Sequence, residues 1–173
     1  EIRGQFLAPA DVSDFSDLFR FHLYEFNQPF ILVEKEIEFI KNYIAILKLR
    51  KGEVQSISLN IKGSLENKLI APLILIPIVE NSVKHAGNFN GKKSQIDILI
   101  NINKKEIAIH SLNTKGPKNE ELKEKRGIGL ENIKKRLNLQ YSENYTLHIE
   151  DNNDSFELML RVPVEHEVLY NRR

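Results

Sequence analysis

The stretch APLILIPIVENSVKHAGN, residues 71–88, decides how this chain is read. As a helix over 72–86 it places Pro72, Ile76, Val79 and Val83 on one face, suited to packing on a sheet. Asn81, Lys84 and His85, at i, i+3 and i+4, share another face. An Asn carbonyl is a hard oxygen ligand of the kind Mg²⁺ accepts, and Lys and His offer donors to phosphate oxygens. Glu80, beside the Asn, is a carboxylate able to orient or deprotonate a water or an incoming imidazole. The plain alternative is the solvated face of an amphipathic helix, which is the usual condition of a surface helix. Pro77 should kink this helix or mark a restart within it, because it removes a backbone donor. Broken local rules of that kind gather near functional sites.

Around this helix the hydrophobic period switches between the two regular types. Downstream, QIDILINI and EIAIHSL alternate Ile96, Ile98, Ile100 and Ile102, then Ile107 and Ile109, across a hairpin turn at NKK. Upstream, SISLNIK alternates Ile57, Leu59 and Ile61. Near the end, YTLHIE and SFELMLRVPV flank the turn signal DNND. Strands joined by hairpins predict a mixed, mostly antiparallel sheet covered on one face by helices, a two-layer α/β sandwich. Two amphipathic segments come before it. VSDFSDLFRFHLYEF carries Val12, Phe15, Phe19, His22 and Phe26 at spacings of three and four. EKEIEFIKNYIAILKLRKG carries Ile37, Ile40, Ile44 and Leu47, with acids leading, bases trailing and Gly52 as a stop. They predict a helical hairpin, or half of a dimeric bundle, over residues 1–51. The sheet domain then runs over 52–165, followed by a tail at 166–173.

A second informative stretch is GIGLENIKKRL, which follows the polar segment 113–126. Leu130, Ile133, Leu137 and Tyr141 mark one face of a helix, and Gly127 and Gly129 stand at its opening. Glycines at a helix N-terminus let backbone N–H groups approach an anion, and Lys125 and Arg126 add positive charge. A lone G-x-G is equally an ordinary flexible helix entry, so its weight lies in the combination with residues 80–85.

Bulk properties narrow the classes. The composition, 41% hydrophobic and 28% charged, is that of a globular chain. Lys and Arg number 25 against 24 for Asp and Glu, so no global field recruits nucleic acid or an anionic membrane. The absence of cysteine excludes disulfides and thiolate metal sites. The longest apolar run, residues 69–79, is too short to cross a bilayer. None of the remaining histidines, His110, His148 and His166, belongs to a pattern suggesting a metal site or a catalytic triad.

Taken together, IVENSVKHAG resembles the N-box of the histidine-kinase and related GHKL ATPases, and GIGLENIKKRL resembles their glycine-rich G2 box. The region from FSDLFRFHLYE to EIEFIKNYIAILKLR is similar to the segment before the ATPase domain in LytS-like sensor histidine kinases. The resemblance implies a Bergerat-type fold binding ATP with Mg²⁺, with Asn81 as the metal-binding Asn and Lys84 and His85 as the basic pair beside it. It further implies phosphate contacts at Gly127 and Gly129, with Leu130 closing that turn of the binding site; Glu80, by its type and place beside Asn81, is the candidate catalytic carboxylate. As partners it implies a response regulator and a second copy of the chain through the helical region. The place it implies is the cytoplasmic side, with any membrane anchor upstream.

Two features depart from the pattern. The family's D-x-G-x-G motif, whose Asp accepts from the adenine amine, falls on NTKGP, with Asn113 at the Asp position. An Asn oxygen still accepts, without the charge assistance. The N-P-H-F-L-F-N type motif that carries the phosphate-accepting His is missing from these residues. His22 lies on an apolar stripe, where packing is its expected role. An alternative function is therefore a module that senses nucleotide without transferring phosphate. An ATPase of the gyrase kind would need a Glu one turn before the Asn, where this chain has Pro77.

Overall fold

The computed structural model describes residues 28–51, 55–87, 93–116 and 123–166. The helix expected over residues 12–26, with His22, lies outside them, as does the segment 117–122.

The alternating runs form the sheet. β4 (Ser94–Ile102) and β5 (Glu106–Thr114) turn Ile96, Ile98, Ile100, Ile102, Ile107 and Ile109 to one face, where all are buried. Asn103 closes the hairpin between them by accepting from the N–H groups of Lys105 (2.8 Å) and Glu106 (2.9 Å). β7 (Ser155–Pro163) extends the same face with Leu158, Leu160 and Val162, and β6 (Thr146–Asp151) forms that edge. At the other edge β2 (Gln55–Gly63) runs parallel to β4, while the remaining pairs are antiparallel, in the order β2-β4-β5-β7-β6. This is the expected mixed sheet. At the last β2–β4 pair a side chain on Gly63 would fall 1.8 Å from the Ile102 carbonyl oxygen, and its φ of +100° also demands glycine.

Among the described residues, three helices cover the buried face. α1 (Val33–Lys51) contributes its predicted stripe of Ile37, Ile40, Ile44 and Leu47, all buried, with Phe39 and Tyr43. α2 (Ile76–His85) contributes Ile76, Ile78, Val79 and Val83. α3 (Lys123–Tyr141) contributes Ile133, Leu137 and Tyr141. A small second sheet, β1-β3-β8, is built from β1 (Ile31–Leu32), β3 (Lys68–Ile70) and β8 (Glu165–His166).

Two helix boundaries differ from the sequence expectation. α2 begins at Ile76 rather than near Pro72, because three side chains from its neighbours hold residues 71–75 in another conformation. Ala71 N–H donates to Tyr141 Oη (2.8 Å), and Arg136 Nη1 donates to the Leu73 carbonyl (3.2 Å). Glu36 Oε1 accepts from the N–H groups of Leu75 (2.6 Å) and Ile76 (3.2 Å). Leu73 has a φ of +56°, a strained value for a leucine that such cross-links sustain. Pro77 consequently stands in the first turn of the helix, where its missing N–H costs nothing, and no kink is needed. α3 begins at Lys123, so Gly127 and Gly129 lie inside it instead of opening it. The preceding Lys-Glu-Lys-Arg run has high helix propensity and carries the helix back past the glycines.

Candidate functional site

The site lies where the C-terminal half of α2 meets the end of β5. Gly87 N–H donates to the Thr114 carbonyl (3.0 Å), and Thr114 Oγ1 donates to the Gly87 carbonyl (2.9 Å). The Ser82 and Ser111 hydroxyls join the same two elements further up. A side-chain carbon on Gly87 would sit 2.4 Å from the Gly116 nitrogen, so only glycine permits this approach. The polar face of α2 is thereby fixed beside the strand end.

A pocket opens there, lined by Asn81 and His85 from α2, Lys115 after β5, Leu130 from α3, Asp151 from β6 and Phe156 from β7. Three sequence-predicted residues, Asn81, His85 and Leu130, are thus brought together. Glu80 and Lys84 are not among the lining residues; Glu80 is half-buried and Lys84 exposed. Burial raises the Glu80 carboxyl above the usual range, with Lys84 opposing the shift. The side chains of Lys125 and Arg126 lie outside what the structure describes, and Gly127 and Gly129 are seen only as helical backbone. Within α3 the Gly127 N–H falls past the first four, unbonded donors of the helix, so offering it to an anion requires the first turns to open.

Asn113 is buried on the helix-covered face, between its ladder partner Phe156 and the nearby Lys115. Its Nδ2 donates to the Thr114 carbonyl (3.0 Å), while its Oδ1 is buried without a partner. Leaving such an oxygen unsatisfied costs about 1–3 kcal/mol, which a ligand donor would offset. That orphaned acceptor fits the amine of an adenine. Among the described residues no group of three or more His, Cys, Asp or Glu could hold a metal ion. A Mg²⁺ ion here would take one protein ligand, Asn81, and its others from phosphate and water.

Sequence reasoning missed Lys115, Asp151 and Phe156. With Asn113 at the motif's Asp position, the first glycine of D-x-G-x-G falls on Lys115, and that substitution was the available signal.

A family model described as Histidine kinase matches residues 5–55. Sensor histidine kinase YesM of Bacillus subtilis is 26% identical over 144 residues, covering 80% of this chain and 25% of YesM. Sensor protein LytS of Bacillus cereus is 27% identical over 159 residues, covering 84% of this chain and 27% of LytS. Over most of its length the chain is similar to the LytS-like sensor histidine kinases. It spans about a quarter of the length of these curated relatives. Among solved structures, the catalytic domain of histidine kinase ThkA matches with a TM-score of 0.52 at 16% identity, over 78% of this LytS-like chain and 93% of that domain. ThkA in complex with the response regulator protein TrrA matches with a TM-score of 0.52 at 14% identity, over 94% of this chain and 54% of ThkA. Full-length ShkA in complex with AMPPNP matches with a TM-score of 0.50 at 16% identity, over 75% of this chain and 30% of ShkA. At these identities the structural matches establish the fold alone, the α/β sandwich that those kinase domains share. No described helix is long and apolar enough to cross a membrane.

Proposed function

We propose that this chain binds ATP with Mg²⁺ and is the catalytic part of a sensor kinase that transfers the γ-phosphoryl group to a histidine, for relay to a response regulator. The observation that carries the nucleotide reading is the buried, unpartnered Asn113 Oδ1 beside a pocket lined by Asn81 and His85. Transfer asks mainly for positioning and charge stabilisation, with little covalent work from the protein. Asn81 holds the metal, which when bound neutralises the phosphate oxygens. His85 and Lys84 supply donors to the phosphates, joined by Lys125, Arg126, Leu130 and the Gly127–Gly129 backbone. Glu80, its carboxyl raised above the usual carboxylate range by burial, orients the incoming imidazole or accepts its proton. AMPPNP in the ShkA structure and TrrA bound to ThkA support the nucleotide and the regulator as ligand and partner. A second copy joined through the helical region is the other expected partner.

A second reading, nucleotide sensing without transfer, is favoured by Asn113 and Lys115 in place of the motif's Asp and glycine. Calorimetric titration with ATP, in Mg²⁺ and in EDTA, tests the nucleotide site. Asn81→Ala should abolish the Mg²⁺-dependent part of the affinity, with the unfolding free energy moved by no more than about 0.5 kcal/mol, as for a surface change. Undiminished Mg²⁺-dependent affinity in the mutant would refute the role of Asn81. Transfer of label from ATP to histidine in a longer chain then separates kinase from sensor.

A further inference from the structure

The pocket holds one polar pair that phosphate and metal binding leave unused. Lys115 is only 4% exposed, and its ammonium donates to Asp151 Oδ1 and to the Asn152 carbonyl. Its backbone N–H is also engaged, donating to the Asp154 carbonyl at 2.8 Å. Asp151 lines the pocket with a side chain that is 56% exposed. With Oδ1 held by Lys115, Oδ2 is left to accept from an incoming donor.

A tether for the β6–β7 turn would not need this chemistry. Burying an ammonium carries a desolvation penalty that an apolar side chain of similar volume avoids, often with equal or better stability. The pair also stands at one motif with two linked departures. The carboxylate expected at 113 is replaced by Asn, and the glycine expected at 115 is replaced by a lysine that holds a carboxylate from another strand. A carboxylate repels phosphate, so this end of the pocket takes the uncharged part of a nucleotide and leaves the α2 and α3 side to the phosphates.

Resting on the nucleotide reading above, we propose that Asp151, oriented by Lys115, accepts a hydrogen bond from the exocyclic amine of adenine and supplies the charge-assisted contact that Asn113 cannot. Asp151 is thus a base-specificity residue, and Lys115 is its positioning residue.

The test compares two triphosphates that differ only at this amine: ATP and the 6-deamino analogue, purine riboside triphosphate. The wild-type chain should prefer ATP by about tenfold, as befits one charge-assisted bond. Asp151→Ala should remove most of this preference, with Asn113, the weaker neutral acceptor of the amine's second hydrogen, holding the rest. Asp151→Asn, which keeps the shape and a neutral acceptor, should retain an intermediate preference and serves if the alanine variant fails to fold. Lys115→Met should also weaken the preference, whereas Asn113→Ala should leave most of it in place. A full preference surviving in both Asp151 variants overturns the proposal, and its loss in Asn113→Ala would assign the amine to Asn113. Equal wild-type binding of the two nucleotides overturns it as well, while leaving the nucleotide site intact. A wild-type chain that binds neither triphosphate refutes the nucleotide reading itself, and this inference with it.

Discussion

Glu36 reaches from α1 to the N-terminus of α2 and accepts two backbone N–H groups there, at Leu75 and Ile76. The contact suits the positive helix end, yet Glu36 Oε2 is buried without a partner. Burial therefore wins, lifting the carboxyl from 4.5 to about 7 against the opposing backbone hydrogen bonds and Arg136. The folded state binds this proton more tightly than the unfolded chain, so the contribution is full below about pH 4.5 and is lost as pH rises through about 7. Glu36→Gln keeps an acceptor for both N–H groups and removes the titration. We expect the wild-type chain to gain on the order of 3 kcal/mol from this group between about pH 8 and about pH 5, with the variant lacking that gain. Urea unfolding of both proteins across the window measures the difference. Parallel pH profiles would show that Glu36 does not titrate there.

At the scale of elements, α2 is only 10 residues long and is fastened at both ends by groups from elsewhere. Its C-terminal fastening depends on the Gly87–Gly116 approach. Gly87→Ala sets a carbon against backbone rather than against a flexible side chain, so the strand end or the helix must shift. Overpacking of this kind costs about 1–3 kcal/mol, and the shift should also weaken nucleotide binding by moving Asn81 and His85 relative to Asn113. Chemical denaturation and ATP titration of the variant check the two effects, and wild-type values in both would mean that the approach carries no constraint. The same fastenings explain what could be read in advance. Strict alternation in β4, β5 and β7 made the sheet legible, since every second residue meets the same core. The start of α2 was not legible, because PLIL reads as helix until Tyr141, Arg136 and Glu36 hold residues 71–75 otherwise. β1, β3 and β8 are too short to carry a period. Of the residues that line the pocket, Asn81, His85 and Leu130 each sit in a local pattern, whereas Lys115 and Asp151 meet across 36 residues and carry no local mark of it.

For the molecule as a whole, one core joins α1 to the sheet domain: Ile37, Phe39, Ile40 and Leu47 share a buried cluster with Ile96, Ile109 and Leu160. α1 is therefore packed onto the sheet domain, and a change in α1 reaches the start of α2 directly through Glu36. Transfer to histidine makes a further demand on the whole chain. The acceptor nitrogen must come into line with the γ-phosphate and reach the site from solvent. Of the histidines here, His85 lines the pocket, while His110 and His148 lie on strands paired with Glu157 and Glu150. His22 sits on a stripe with Phe15, Phe19 and Phe26 in the sequence. The N-P-H-F-L-F-N type motif is missing from these 173 residues. We therefore expect this chain to bind ATP without labelling itself on histidine. Incubation with γ-labelled ATP, read as an acid-labile and alkali-stable product, measures this. Label that appears in the chain and vanishes in His22→Gln would place the acceptor at His22. Label that appears only when the chain is extended upstream through such a motif would place the acceptor there, and would distinguish a kinase from a module that only senses its nucleotide.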